Sequence, residues 1–213
     1  MKLSVFVGIA VATVAAAGWG GRAEAQDEGL KQVDALVKAS GNTVQAIAET
    51  KVQLMKTMDV YNALMAEDAK DRKKLYKDLQ KEMDSTEKRR AEIARRSTAM
   101  ATEAQALFKS WESSAAAIES ENLRKRSEER LAKTRASYQE VAKVGEKASQ
   151  IYEPVMKTLD DQVKYLGHDL NPGAVKSLKP DADKLNARVQ DLVKAVDDTI
   201  TTANGKIGAL RPE

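Results

Sequence analysis

From Leu30 onward, apolar side chains recur alternately three and four positions apart: Leu30, Val33, Val37, Val44, Ile47, Leu54, Met58, Tyr61 and Met65, with Ser40 and Lys51 standing at seam positions. A mean spacing of about 3.5 residues keeps one stripe of a helix facing a neighbour as the two supercoil. The pattern predicts a first helix over about 29–66. It is softened at Gly41, since glycine costs about 1 kcal/mol relative to alanine inside a helix. The seam turns polar at Asp68 and Arg72, and apolar residues return in a shifted phase. This predicts a turn near 67–71 capped by Asp68 or Asp71, with a helix running straight through as the alternative.

A second helix is expected over about 71–119, on the stripe that includes Tyr76, Leu79, Met83, Thr86, Ile93, Met100, Ala104, Leu107, Trp111 and Ile118. Arg90 and Ser97 interrupt that stripe, which predicts a wet middle to the seam. The short connector Ser120-Glu121-Asn122 then folds the chain back antiparallel into a third helix over about 121–170. Its stripe runs from Leu123 through Leu131, Val141, Tyr152 and Leu159 to Leu170. Pro154 lies inside it and lacks a backbone donor, so a kink near Gln150 is expected. Asn171-Pro172-Gly173 ends this helix and opens a fourth, about 172–210, with Asn171 as cap and Pro172 at the first helical position. Pro180 is expected to divide the fourth helix, because the residue before a proline is biased away from helix. At about 1.5 Å per residue the second and third helices each reach roughly 70 Å. The fold class that follows is all-α: an elongated antiparallel coiled coil or helical bundle of about four long helices, forming one domain over 26–213.

Composition sharpens this picture. Aromatic residues are 4% of the 213 and charged residues 31%, too few large rings to fill a thick core and enough charge to coat long helices. The 35 basic and 32 acidic side chains are interleaved, the mark of a solvated helix surface and not of a nucleic-acid footprint. The absence of cysteine excludes disulfides, thiolate chemistry and lipid attachment through an N-terminal cysteine.

The start of the chain reads differently. Met1-Lys2 precedes an uncharged apolar run from Leu3 to Ala17, and Ala23-Glu24-Ala25 supplies small residues at both positions of a cleavage signal. The segment 1–25 is therefore expected to be a signal peptide cut after Ala25, placing the protein in the periplasm. An uncleaved N-terminal anchor is the alternative, although the run is short for the roughly 20 apolar residues that span a bilayer.

Candidate chemistry is sparse. His168 is the one histidine, so neither a hydrolase triad nor a zinc site of several His or Cys ligands can be assembled. Asp160-Asp161 and Asp197-Asp198 are adjacent pairs, which diverge on a helix. No glycine loop suited to a phosphate is present. The expectation is no enzyme, with no catalytic residue, cofactor, metal, small-molecule substrate or nucleic acid. Pro154, Tyr165, His168 and Asn171 are the candidate interaction or junction residues. His168 can serve as a pH sensor or, in the last helical turn, bond freed carbonyls and complement the dipole. Arg89, Arg90, Arg95 and Arg96, with Lys88, form a candidate face for anionic lipid; the competing reading is a solvated face paired with Glu87 and Glu92.

From Ala106 onward the chain resembles a family of exported bacterial proteins described only as a domain of unknown function, DUF2959. The matching pieces are Ala106-Leu107-Phe108 with Trp111-Glu112, Leu123-Arg124, Ser127-Glu128, Thr134-Arg135, Glu153-Pro154-Val155, Asp161-Gln162-Val163, and Tyr165-Leu166 with His168, Leu170 and Asn171. The likeness is dense in the C-terminal half and rests on pattern alone before it. Many members resemble lipoproteins with a cysteine after the signal segment, which this chain lacks. The resemblance implies an exported helical protein and supplies no activity. Two functions are expected from all of this. One is a structural or adaptor component of the cell envelope acting through a protein partner or self-association. The other is a peripheral protein that binds anionic membrane surfaces in envelope stress response through the basic face of the second helix.

Overall fold

The computed structural model describes residues 20–211, and these form four helices: α1 (Gly20–Met65), α2 (Arg72–Ala116), α3 (Glu121–His168) and α4 (Pro172–Gly208). The apolar run from Leu3 to Ala17, where the signal segment is expected, lies outside the described residues. Among the described residues α1 reaches back to Gly20, past the start expected near Gly29, and the Ala, Glu and Gln of the intervening stretch are good helix formers. Among the described residues α1 packs against each of the other three helices, and the bundle is built around it.

Contacts fix the directions. Arg89 pairs with Glu49 and Arg96 Nη1 donates to the Asn42 carbonyl, so residue numbers fall along α2 as they rise along α1. The same opposition holds between α1 and α4, where Lys51 meets Asp197, Asn186 meets Asn62 and Arg211 meets Asp34. It holds again between α2 and α3, through Arg90 with Glu153 and Trp111 with Ser127. α1 and α3 lie diagonally and run parallel, joined by the Tyr61 hydroxyl donating to Gln162 Oε1. The architecture is an up-and-down four-helix bundle.

The seam read from sequence is buried at Val33, Ile47, Leu54, Met58 and Tyr61, but α1 buries a second stripe beside it: Leu36, Thr43, Thr50, Thr57 and Leu64, each seven residues from the next. Threonine enters the core because its hydroxyl is satisfied within its own helix. Thr43, Thr50 and Thr57 donate to the carbonyls of Ala39, Ala46 and Gln53 at 3.0, 2.7 and 2.9 Å, so none of the three hydroxyls is buried without a partner. Thr57 also lies 2.8 Å from Thr86 of α2, hydroxyl to hydroxyl. Two expected seam residues are exposed: Leu30 at 60% and Leu123 at 54%.

Apolar packing falls into two clusters. The larger includes Leu54, Tyr61, Leu79, Tyr152, Leu159 and Leu185, and the smaller gathers Leu36, Met100, Leu107, Phe108, Val141 and Leu210. Ile207 touches both. At the smaller cluster Phe108 meets Tyr138 edge-on with ring centres 5.6 Å apart, and Arg135 stacks 4.8 Å above the Phe108 ring.

The turn at 66–71 is present and Asp71 is its cap, its side chain accepting from the Lys74 amide at 2.9 Å. α2 stops at Ala116 and not Glu119, because Ile118 N and Ala117 N bond back to Ala115 and Ser113 in a closing turn. Pro180 does not divide α4, which is unbroken through it. Both Pro180 and Lys176, whose carbonyl loses its helical donor, stand at exposed positions, so the freed carbonyl is not sealed in the core. α3 likewise continues through Pro154.

Two buried tyrosines make a test of this core. Tyr61 and Tyr152 are both fully buried, yet Tyr61 donates to Gln162 while the Tyr152 hydroxyl meets no partner among the described residues. Tyr61→Phe strands the Gln162 oxygen and is expected to cost about 1–3 kcal/mol. Tyr152→Phe, measured in the same denaturant titration, is expected to be neutral or stabilising.

Candidate functional site

The α3–α4 junction is held by local hydrogen bonds. Asn171 caps α4, its Oδ1 accepting from the Ala174 amide at 2.9 Å, and such a cap contributes about 1 kcal/mol. Asp169 holds Asn171 in turn, accepting from its backbone N at 3.0 Å and its Nδ2 at 2.7 Å. Beyond the turn, the Tyr165 hydroxyl lies 3.1 Å from Ser177 Oγ, joining the last turns of α3 to the first of α4. These two residues border a groove of about 610 Å³ between the helices, with Thr158, Asp161, Asp181 and Arg188 among its other walls. Its charges are mixed, and its floor is Gln162, the partner of Tyr61. Burial raises the Tyr61 phenol well above its ordinary value, and Asp181 and Asp183 push it further in the same direction, so it stays a neutral donor.

The four junction residues do not converge. Tyr165 enters the groove and Asn171 makes the cap. His168 is exposed at the end of α3 and makes no hydrogen bond with the described residues, so the expected bond to freed carbonyls is not formed. Pro154 is exposed more than three turns back. The sequence did not single out Gly167, whose missing side chain admits Tyr76: a Cβ there would stand 2.5 Å from the Tyr76 hydroxyl oxygen. Gly145 has the same role against Ser97, at 2.9 Å. Glycine inside a long helix, in phase with its buried stripe, is the signal for such close approach.

The basic face of α2 is occupied by carboxylates. Arg89 pairs with Glu49 at 2.6 Å, Arg90 with both Glu87 and Glu153, and Arg95 and Arg96 with Glu92 at 2.6 Å each. Hydrogen bonds from Arg95 and then Arg96 hold the Glu92 carboxyl down at about 2. Beside Arg90 and Ser97 the α2–α3 seam opens into a groove of about 490 Å³ that Gly145 and Glu146 also line, which is where the stripe was expected to be interrupted. Among the described residues no cluster of three His, Cys, Asp or Glu is placed to hold a metal, and no helix is long and apolar enough to cross a membrane.

Four packed helices, with no strand among the described residues, define an all-α helical-bundle protein. The chain belongs to the family described as "Protein of unknown function (DUF2959)", which matches residues 23–210. The match extends through the first half, where only pattern had suggested it. Comparison with curated proteins and with solved structures gives no match.

Glu92 provides the pH test. Its folded value lies below the ordinary 4.5, so its contribution to stability is complete above about 4.5 and is lost as pH falls through about 2. Carboxyl carbon shifts followed by NMR should show Glu92 ionised at pH 3. In Arg95→Gln with Arg96→Gln the midpoint should return toward 4.5; an unchanged midpoint would contradict the pairing.

Proposed function

We propose that this is an exported, non-enzymatic component of the bacterial cell envelope that works as a structural or adaptor protein through protein contacts along its helices. The observation that carries this is the run of cross-helix ties along the bundle. Lys51–Asp197, Arg89–Glu49, Arg135–Glu112 and Arg211–Asp34 link neighbouring helices from one end to the other. Single exposed pairs contribute little each, but spread along helices of 37 to 48 residues they hold long faces in register, as a rod that presents surfaces requires. Export rests on the Leu3–Ala17 run and the Ala23-Glu24-Ala25 signal. Arg89, Arg90, Arg95 and Arg96 of α2 are already engaged by carboxylates, so a headgroup would have to displace an existing partner.

The test is crosslinking in intact cells followed by capture from the envelope fraction, with N-terminal sequencing of the captured chain. The expected result is a mature chain starting at Gln26, crosslinked to a defined protein or to itself. Retention of Met1, or recovery only with anionic vesicles in a manner abolished when Arg89, Arg90, Arg95 and Arg96 are replaced by Gln, would contradict it.

A further inference from the structure

The outward face of α1 carries a second heptad seam that no helix of the bundle covers. Lys38, Gly41, Gln45, Ala48, Val52, Met55 and Asp59 stand alternately three and four residues apart, one stripe about 32 Å long. All are exposed except Ala48, which is partly so. Val52 is 63% and Met55 47% exposed, and they are the two adjacent members of the large apolar residues left outside the core. In a chain with 31% charged residues, the five inner positions of this stripe carry no charge. The two outer ones, Lys38 and Asp59, have opposite sign, and neither makes an ion pair or hydrogen bond with the described residues. Other charges along the flank are engaged: Glu49 by Arg89, and Lys56 by Glu82.

We infer that this face of α1 binds a second copy of the same chain, antiparallel, with Ala48 at the two-fold axis. This deepens the adaptor reading and rests on it, naming self-association as the contact. The sequence of the stripe is complementary to its own reverse. With Ala48 opposite Ala48, Lys38 of each copy falls opposite Asp59 of the other, and Met55 falls opposite Gly41. Any Cβ at Gly41 would meet open space, with no atom of its own chain within 4 Å, so the room there is free to take a large side chain from outside. Ala48 at the centre lets the two helices approach closely, and a two-fold contact makes each favourable pair occur twice. A single helix face per copy is small for a permanent dimer, so the association is expected in the micromolar range.

Sedimentation equilibrium of the purified chain up to about 100 μM, a range set by that expected affinity, tests this together with helicity from far-ultraviolet circular dichroism. Met55→Lys is expected to leave helicity unchanged and abolish the dimer. Lys38→Glu should weaken it roughly tenfold by placing like charges opposite each other twice, and Lys38→Glu combined with Asp59→Lys should restore it. Because the natural chain has no cysteine, Ala48→Cys offers a separate reading of the register. On oxidation it should give a disulfide dimer, while Lys125→Cys, exposed on α3, should not. A monomer throughout, a dimer indifferent to Met55→Lys, or no rescue by the charge exchange overturns the inference. A monomer that still crosslinks to a different envelope protein in cells overturns it too, and leaves the adaptor reading standing.

Discussion

The bundle depends on α1 burying a wide face against three helices at once. A helix in a two-stranded seam needs apolar residues on one stripe; a helix with three neighbours needs two or more. This chain lacks the large apolar residues to fill that width, with 4% aromatics, and it solves the shortage with threonine. Thr43, Thr50 and Thr57 satisfy their own hydroxyls on the preceding turn and are buried in the core. Between α2 and α3 the close approach rests on Gly145 and Gly167, whose missing side chains leave room for Ser97 and Tyr76. The narrow core and the length of the molecule are one consequence of the same composition.

Length then determines what the surface does. A thin bundle has little interior and a great deal of helix face, so most of its charge lies where carboxylates and cations are neighbours. Many of those charges pair within helices and between them, and the α2 arginines that look like a cationic patch in sequence are held by Glu49, Glu87, Glu92 and Glu153. The outward stripe of α1 differs from those faces: it is apolar in its middle, and opposite charges stand at its ends, Lys38 and Asp59.

Much of the fold was legible from spacing. Helices at three-and-four spacing, the turn at 66–71 and the cap at Asn171 follow from local chemistry, and local chemistry is what a sequence displays. The second buried stripe of α1 was not legible, because threonine reads as polar until its hydroxyl is seen bonded to its own helix. Pro180 misled for a related reason: its cost depends on whether the freed carbonyl faces water, which is a property of the assembled bundle. The junction residues Pro154, Tyr165, His168 and Asn171 share a stretch of chain and were grouped on that ground, yet helical geometry sends them to different surroundings. Only Tyr165 lines the groove, and its partner Ser177 comes from the next helix.

An end-to-end distance is the most direct measurement of an elongated bundle offering long helix faces. Nitroxide labels attached through Lys70→Cys and Glu119→Cys flank α2, whose 45 residues span roughly 68 Å at 1.5 Å per residue. With labelled chain diluted in unlabelled chain, pulsed electron resonance should give a narrow distribution centred near 70 Å, as an unbroken α2 requires. A distribution centred below about 40 Å, the width of a compact globule of this size, would contradict it.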